Sequence, residues 1–307
     1  MFPHSRLFLV LPACALAAQS MLVAASTVAQ APTTTPTTTT PPATPPNASS
    51  SPSTNKQDDA VSIRQLAMRV LSATNEGKLD SLTNLTDRLR AAVQQASADR
   101  DPNSGQRTIL DDPTIWMLCG DGYLRGGAFK RAVQCYDKFA KARPDQQPYL
   151  WQRGIALYMA GDYQRGADQF ALHKSVNPND VENSAWHFLC VAKLKSPQAA
   201  KQVLIVSRGD GRVPMAMVMK LLAGEATTED VLQSANALDG NSQAGKRARM
   251  FAHLYIGLYH DASGNLALAR KHMRQSASVG LRNFYMQDVA IQYAQQISKA
   301  PSGTTRN

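Results

Sequence analysis

The amino-acid sequence predicts an all-α protein: an α-solenoid of repeated helix-turn-helix pairs preceded by an N-terminal helical hairpin. Three observations lead there. Small, aromatic and proline residues recur 34 residues apart, as from Gly120 to Gly154. Ahead of them two runs carry apolar residues at helical spacing, and no alternating run of strand length occurs anywhere in the chain.

From the N-terminus, the 307-residue chain has no charged side chain between Arg6 and Lys56. Met1 to Arg6 is a short basic start and Leu7 to Ala29 is rich in Leu, Val and Ala, which reads as a secretory signal peptide over residues 1–29. Thr27, Ala29 and Ala31 offer small residues for cleavage. Cleavage after Ala29 is favoured, because Pro32 directly after Ala31 lacks the backbone donor a peptidase needs there. Two other readings stay open. The apolar stretch is about long enough for a membrane anchor of ~20 residues, against which Pro12, Gln19 and Ser20 count. Leu11-Pro12-Ala13-Cys14 is a poor lipoprotein box, with Cys14 as the residue to be lipidated. Residues 30–56 are almost all Thr, Pro, Ala, Ser and Asn and are expected to form a disordered linker that sets the folded part at a distance. The chain is therefore expected to be exported, to periplasm or cell envelope, touching membrane only through its N-terminus.

The hairpin is expected over residues 57–98. Ile63, Leu66, Ala67 and Val70, then Leu82, Leu85, Leu89 and Val93, follow helical spacing on either side of Asn75-Glu76-Gly77. Residues 99–112 are charged and bear glycine and proline, so they read as a loop. The repeats fill 113–299, and a disordered tail follows over 300–307.

Within the repeats Gly120 recurs as Gly154, Gly127 as Gly161, Phe129 as Tyr163, Tyr136 as Phe170 and Pro144 as Pro178. With Trp116, Tyr123 and Ala132 this is nearly the full tetratricopeptide (TPR) pattern. Gly120 and Gly154 let the two helices of a pair approach closely, Gly127 and Gly161 end the first helix, and Pro144 and Pro178 stop the second. A later copy uses Gly257, Gly264 and Ala269, followed by a last helix from about Phe284 to Ile297 that Arg282-Asn283 should cap. The stretch between is degenerate: a helix over Val181 to Leu194, another capped by Ser196-Pro197 and closed by Val203 to Val206, and two more starting at Pro214 and Thr228-Glu229-Asp230. Gly224 ends one of these.

The first helix of each pair should line an inner groove. Its inward positions are Met117, Leu118, Asp121, Leu124 and Arg125 in one copy, and Trp151, Gln152, Ile155, Tyr158 and Met159 in the next. Arg125 alone is basic, so clamping of a partner's terminal carboxylate is not expected. An apolar, aromatic and methionine-bearing groove suits a partner's helix or extended segment. The alternative occupants are the chain's own N-terminal hairpin or a second subunit.

Catalysis is not expected. The six histidines show no metal-ligand spacing; His253 and His260 share a helix face without a useful acidic neighbour. His187 and Cys190, one turn apart, read as packed side chains beside Trp186 and Phe188. With no strands there is no phosphate-cradling loop, and Arg208-Gly209-Asp210 is a turn. Cys119, Cys135 and Cys190 form no disulfide framework, although a Cys119–Cys135 bridge is conceivable after export. No cofactor, metal or nucleic acid is expected. The formal charge of +10 is concentrated at the end of the chain: from Asn241 on, nine Lys or Arg stand against Asp261 and Asp288, which makes a basic face that is either merely solvated or meets an anionic partner first.

From about Pro113 to Ile297 the chain resembles the NlpI-type TPR lipoproteins of bacterial envelopes. Arg153-Gly154-Ile155-Ala156-Leu157-Tyr158, Asn177-Pro178-Asn179-Asp180 and Trp186 are similar to that family's central repeat. Leu222-Ala223-Gly224, Thr227-Thr228-Glu229-Asp230, Tyr255-Ile256-Gly257-Leu258-Tyr259, Gly264-Asn265 and Arg282-Asn283-Phe284 extend the similarity. The resemblance implies a dimeric, non-catalytic adaptor that holds a processing protease and cell-wall hydrolases. The poor lipobox and the spacer and hairpin before Asp99 depart from it. A protein-binding scaffold is thus the leading expectation, with a self-assembling homodimer and an enzyme of unrecognised site as the alternatives.

Overall fold

The computed structural model describes residues 56–101 and 109–299. The expected signal segment, the linker up to residue 55, residues 102–108 of the expected loop and the tail from 300 lie outside them. The chain divides between Ala60 and Val61 into two units.

Every regular element among the described residues is helical. Helix α1 (Lys56–Glu76) and α2 (Leu79–Ala98) are separated by Gly77, whose φ of +68° turns the chain. Ile63, Leu66, Ala67 and Val70, then Leu82, Leu89 and Val93, which the apolar spacing picks out, are buried, and so are Ala73, Thr74 and Thr86, which it does not; Leu85 stays at the margin. A short 3₁₀ turn (Ile109–Asp111) leads to the paired helices α3 (Thr114–Arg125) with α4 (Phe129–Ala142), and α5 (Trp151–Ala160) with α6 (Tyr163–His173). Then come α7 (Val181–Leu194), α8 (Pro197–Gln202), α9 (Met215–Ala223), α10 (Thr228–Asn236), α11 (Gln243–Ala262), α12 (Leu266–Ala277) and α13 (Tyr285–Ser298).

The helices stack as consecutive pairs. From α2 to α8, and again from α9 to α13, each packs on the next, while α7 receives both α8 and α9. The first helices of successive pairs also touch, α3 on α5, α5 on α7 and α7 on α11. This pattern is consistent with a helical repeat.

Gly120 and Gly154 mark the close approaches. A Cβ on Gly120 would lie 2.5 Å from the Tyr136 ring, and one on Gly154 2.6 Å from the Phe170 ring. Those aromatic side chains are buried, so the period of 34 couples each glycine in a first helix to a ring in the second. Gly257 of α11 stands in the same relation to Met273 of α12. Gly161 takes the left-handed conformation, with φ +83°, and ends α5; Gly127 and Gly264 have similar φ in the corresponding turns. Pro144 opens a 3₁₀ turn (Pro144–Tyr149) directly after α4, and Pro178 lies in the turn before α7.

Local capping sets the later helices. Asp180 accepts from the Glu182 N–H to start α7, and Ser196 from Ala199 to start α8. Thr227 and Asp230 exchange hydrogen bonds in a capping box at α10. Two expectations need correction. Val203 follows the end of α8 and the chain to Val206 is irregular. Arg282-Asn283 does not cap the last helix; its N-cap is Phe284, with no side-chain acceptor, and Asn283 instead turns the chain with φ +53°.

Candidate functional site

The inward positions of α3 and α5 lie side by side, as the period requires, and they are not open. Met117, Leu124 and Arg125 on α3 and Ile155, Tyr158 and Met159 on α5 are buried, while Leu118 and Trp151 are half-buried. The element over them is the last described helix of the chain, α13, which packs on α3 and α12. The N-terminal hairpin also reaches it, where Thr74 meets Arg125.

A row of α13 side chains makes the contact. Tyr285 donates to Asp121 Oδ1 at 3.0 Å, and the same oxygen accepts from Tyr136 at 2.5 Å. The Tyr285 ring meets Trp151 edge-on, with centroids 5.0 Å apart. Asp288 pairs with the Arg125 guanidinium at 2.5 Å, and Arg125 also donates to the Thr74 carbonyl at 3.0 Å, tying α1, α3 and α13 together. Gln292 donates to the Arg125 carbonyl and Gln296 to the Met159 carbonyl, each at 2.9 Å. The Tyr293 and Tyr158 hydroxyls lie 3.4 Å apart, and Tyr293 donates to Asp261, which also holds Lys193 at 2.7 Å.

Electrostatics follow from burial. Desolvation raises the Asp288 carboxyl above its ordinary range, with the Arg125 guanidinium pulling the other way. Burial drives the Tyr158 and Tyr293 phenols far up, so both stay neutral donors. Beside the end of α13 an open cleft of roughly 370 Å³ is lined by Gly127, Phe129, Lys130, Arg131, Met159 and Gln296.

Tyr285, Asp288, Gln292 and Gln296 recur at three to four residues, with Tyr293 beside Gln292, a polar and aromatic stripe along one helix face. That stripe is the signal by which the sequence announces a helix docked on a polar-edged groove.

The remaining candidates take ordinary places. His187 is half-buried and its ring is held neutral by desolvation; Cys190 is fully buried, and burial pushes its thiol up, so the pair makes no thiolate. Cys119, Cys135 and Cys190 are free thiols. Asp210 of the Arg208-Gly209-Asp210 turn accepts from Arg212 and from the Val181 N–H. Arg212 in turn pairs with Asp180 and Glu182, and Glu182 accepts from Tyr255 at 2.6 Å. Among the described residues no helix is long and apolar enough to cross a membrane.

No family model matches the chain. Sequence and structure together show an all-helical protein of stacked helix pairs in which the last described helix, α13, packs on α3 and α12.

Proposed function

We propose that the chain is a non-catalytic protein-binding scaffold or adaptor of the bacterial cell envelope, and that its inward surface takes a partner's helix in exchange for α13. The observation that carries this reading is α13 itself. A surface that seats one amphipathic helix through aromatic edges, one ion pair and backbone carbonyls offers the chemistry to seat another. The charge-free N-terminal stretch supports export, and the resemblance to envelope TPR lipoproteins supports a protease or a cell-wall hydrolase as partner.

The test is competition. Capture of envelope proteins by the full chain is compared for wild type, for Asp288→Asn, which loosens α13, and in the presence of a synthetic peptide of residues 284–299. Stronger capture by the variant and displacement by the peptide are the expected results. Capture indifferent to both would move partner binding off the inward surface.

A homodimer is the second reading, favoured by Leu194, Val203 and Val206, which are 40%, 53% and 57% exposed around the α7–α8 end. Light scattering of wild type against Val203→Glu/Val206→Glu separates them. A monomer at all concentrations removes the dimer.

A further inference from the structure

Helices α3 and α4 run antiparallel, and two side-chain pairs fix the register of their contact. Trp116 of α3 receives Lys138 of α4, whose Nζ lies 3.9 Å from the ring centroid. Seven residues further along α3, Tyr123 receives Arg131, with the guanidinium carbon 5.7 Å from the ring centroid. The advance from 116 to 123 is matched by an equal retreat from 138 to 131, so the two helices step past each other residue for residue. Cys119 and Cys135 are the pair between: three residues inward from Trp116 and Lys138, four from Tyr123 and Arg131.

That register puts the two thiols opposite each other, one turn from each flanking pair. The backbones come together at the same level, since a Cβ on Gly120 would lie 2.5 Å from the Tyr136 ring. Both cysteines are buried, and the Cys119 thiol donates to the Cys135 sulfur. Donating that bond, together with burial, pushes the Cys119 thiol up. Accepting it, with Arg90 and Lys138 nearby, holds the Cys135 thiol below its ordinary range against the opposing effect of burial.

We propose that Cys119 and Cys135 are a dithiol–disulfide pair, which a disulfide-bearing oxidant joins into a covalent staple across the first TPR-like helix pair. One cysteine thiolate attacks a sulfur of the oxidant R–S–S–R; the oxidant's S–S bond breaks, one RS⁻ leaves and a mixed disulfide forms. The second cysteine gives up its proton, attacks the first cysteine's sulfur and displaces the other RS⁻. Two protein thiols are thereby oxidised to one disulfide, the oxidant is reduced to two thiols, and the two protons pass to the leaving thiolates.

Burial decides when this happens. At 0% and 1% exposure neither sulfur can be reached in the closed hairpin, so the first attack takes place while α3 and α4 are apart, in the folding chain or a local opening. The second attack is intramolecular, and the register brings its sulfurs together as the hairpin closes. Cys190 lies outside this contact, on α7 against Gly166 of α6, and is the internal control. The staple would fix the two helices that hold α13: α3 supplies Asp121 and Arg125 to Tyr285 and Asp288, and Tyr136 of α4 donates to the same Asp121.

The test unfolds the full chain and refolds it in glutathione with glutathione disulfide and, in parallel, in dithiothreitol. Free thiols are then alkylated under denaturing conditions, and the digested chain is read by mass spectrometry. Cys119 and Cys135 should be joined in the oxidised sample alone, with Cys190 alkylated in both. The oxidised chain should keep the circular dichroism of the reduced one and melt about 6–12 °C higher, as a disulfide closing so short a loop in a folded part of this size predicts. Cys190→Ala should keep that difference between oxidised and reduced samples and Cys135→Ala should abolish it; each variant is compared only with itself, so a changed baseline stability does not enter. Alkylation of both Cys119 and Cys135 after oxidising refolding, persistence of a glutathione adduct on either, pairing of either with Cys190, or an oxidised chain that melts no higher than the reduced one would overturn the proposal.

Discussion

Truncating Tyr158 to alanine distinguishes an inward surface filled by α13 from one left open. The side chain is 2% exposed, and its ring meets those of Trp186, Tyr163 and Tyr293 with centroids 5.3, 5.4 and 6.0 Å apart. Removing a large buried aromatic loses the transfer free energy of its atoms and leaves a cavity that rigid neighbours cannot close, ~3–5 kcal/mol in all. For a folded part of this size the melting temperature should fall by about 6–20 °C. Trp151→Ala should cost less, ~1–3 kcal/mol, because Trp151 is half-buried and its ring contact is the edge of Tyr285. Thermal melts followed by circular dichroism read both. A Tyr158→Ala chain that melts with the wild type would show that the ring faces solvent and that α13 does not sit there in solution.

Gly154→Leu should lower stability by ~1–3 kcal/mol or more, since even its Cβ falls 2.6 Å from a Phe170 ring that is stacked on Trp186 and has nowhere to go; an unchanged melting temperature would break the repeat register. Asp288→Asn leaves the Arg125 guanidinium buried without its counter-ion, at a cost of ~3 kcal/mol, and amide exchange should accelerate first in residues 285–298; uniform acceleration along the chain would show that α13 is no separate unit. Glu182 gives a pH dependence. Burial lifts its carboxyl from the ordinary 4.5 to about 7, with Arg212 opposing and Asp180 adding to the rise. Between those values the fold holds a proton that the unfolded chain has released, so stability present at acid pH is lost as pH rises through that window, by ~3 kcal/mol. Glu182→Gln should flatten this slope and gain on the wild type at pH 8; a variant that loses ground there would refute the sign.

Much of the fold was legible because its determinants are local and periodic. Gly154 and Phe170 appear as a period of 34, and the structure turns that period into a close approach of two helices. Ser196-Pro197 and Thr228-Glu229-Asp230 announce helix starts that the backbone takes up. The register of the first helices was legible for the same reason, since it follows from the glycines. What lies on them was not. The Arg125–Asp288 pair spans 163 residues, and nothing in the spacing of either residue points to the other. The histidines behave alike: His253 and His260 reveal only a shared face, and the ring that meets His253, that of His272, comes from another helix. Long-range pairing between degenerate helices is where a repeat pattern stops carrying information.

On the proposed reading, a self-filled groove raises the question of how a partner competes. Displacing α13 exposes apolar surface, including Tyr158, Met159 and Tyr293, and a partner helix must restore at least that burial. The polar part of the seat opposes it less than its short distances suggest. Asp288 and Arg125 regain hydration when they separate, and for a buried pair that regain offsets most of the attraction lost. Gln292 and Gln296 exchange carbonyl partners for water at small net loss. The discrimination between α13 and a competing helix therefore rests on aromatic packing. A partner needs a ring where Tyr285 meets Trp151 and another where Tyr293 meets Tyr158, about two helical turns apart, with a hydrogen-bonding group to replace Tyr285 at Asp121. A helix with only aliphatic residues at those two places would lose both ring contacts and the Tyr285 hydrogen bond, leaving Asp121 its bond from Tyr136, and should lose to α13.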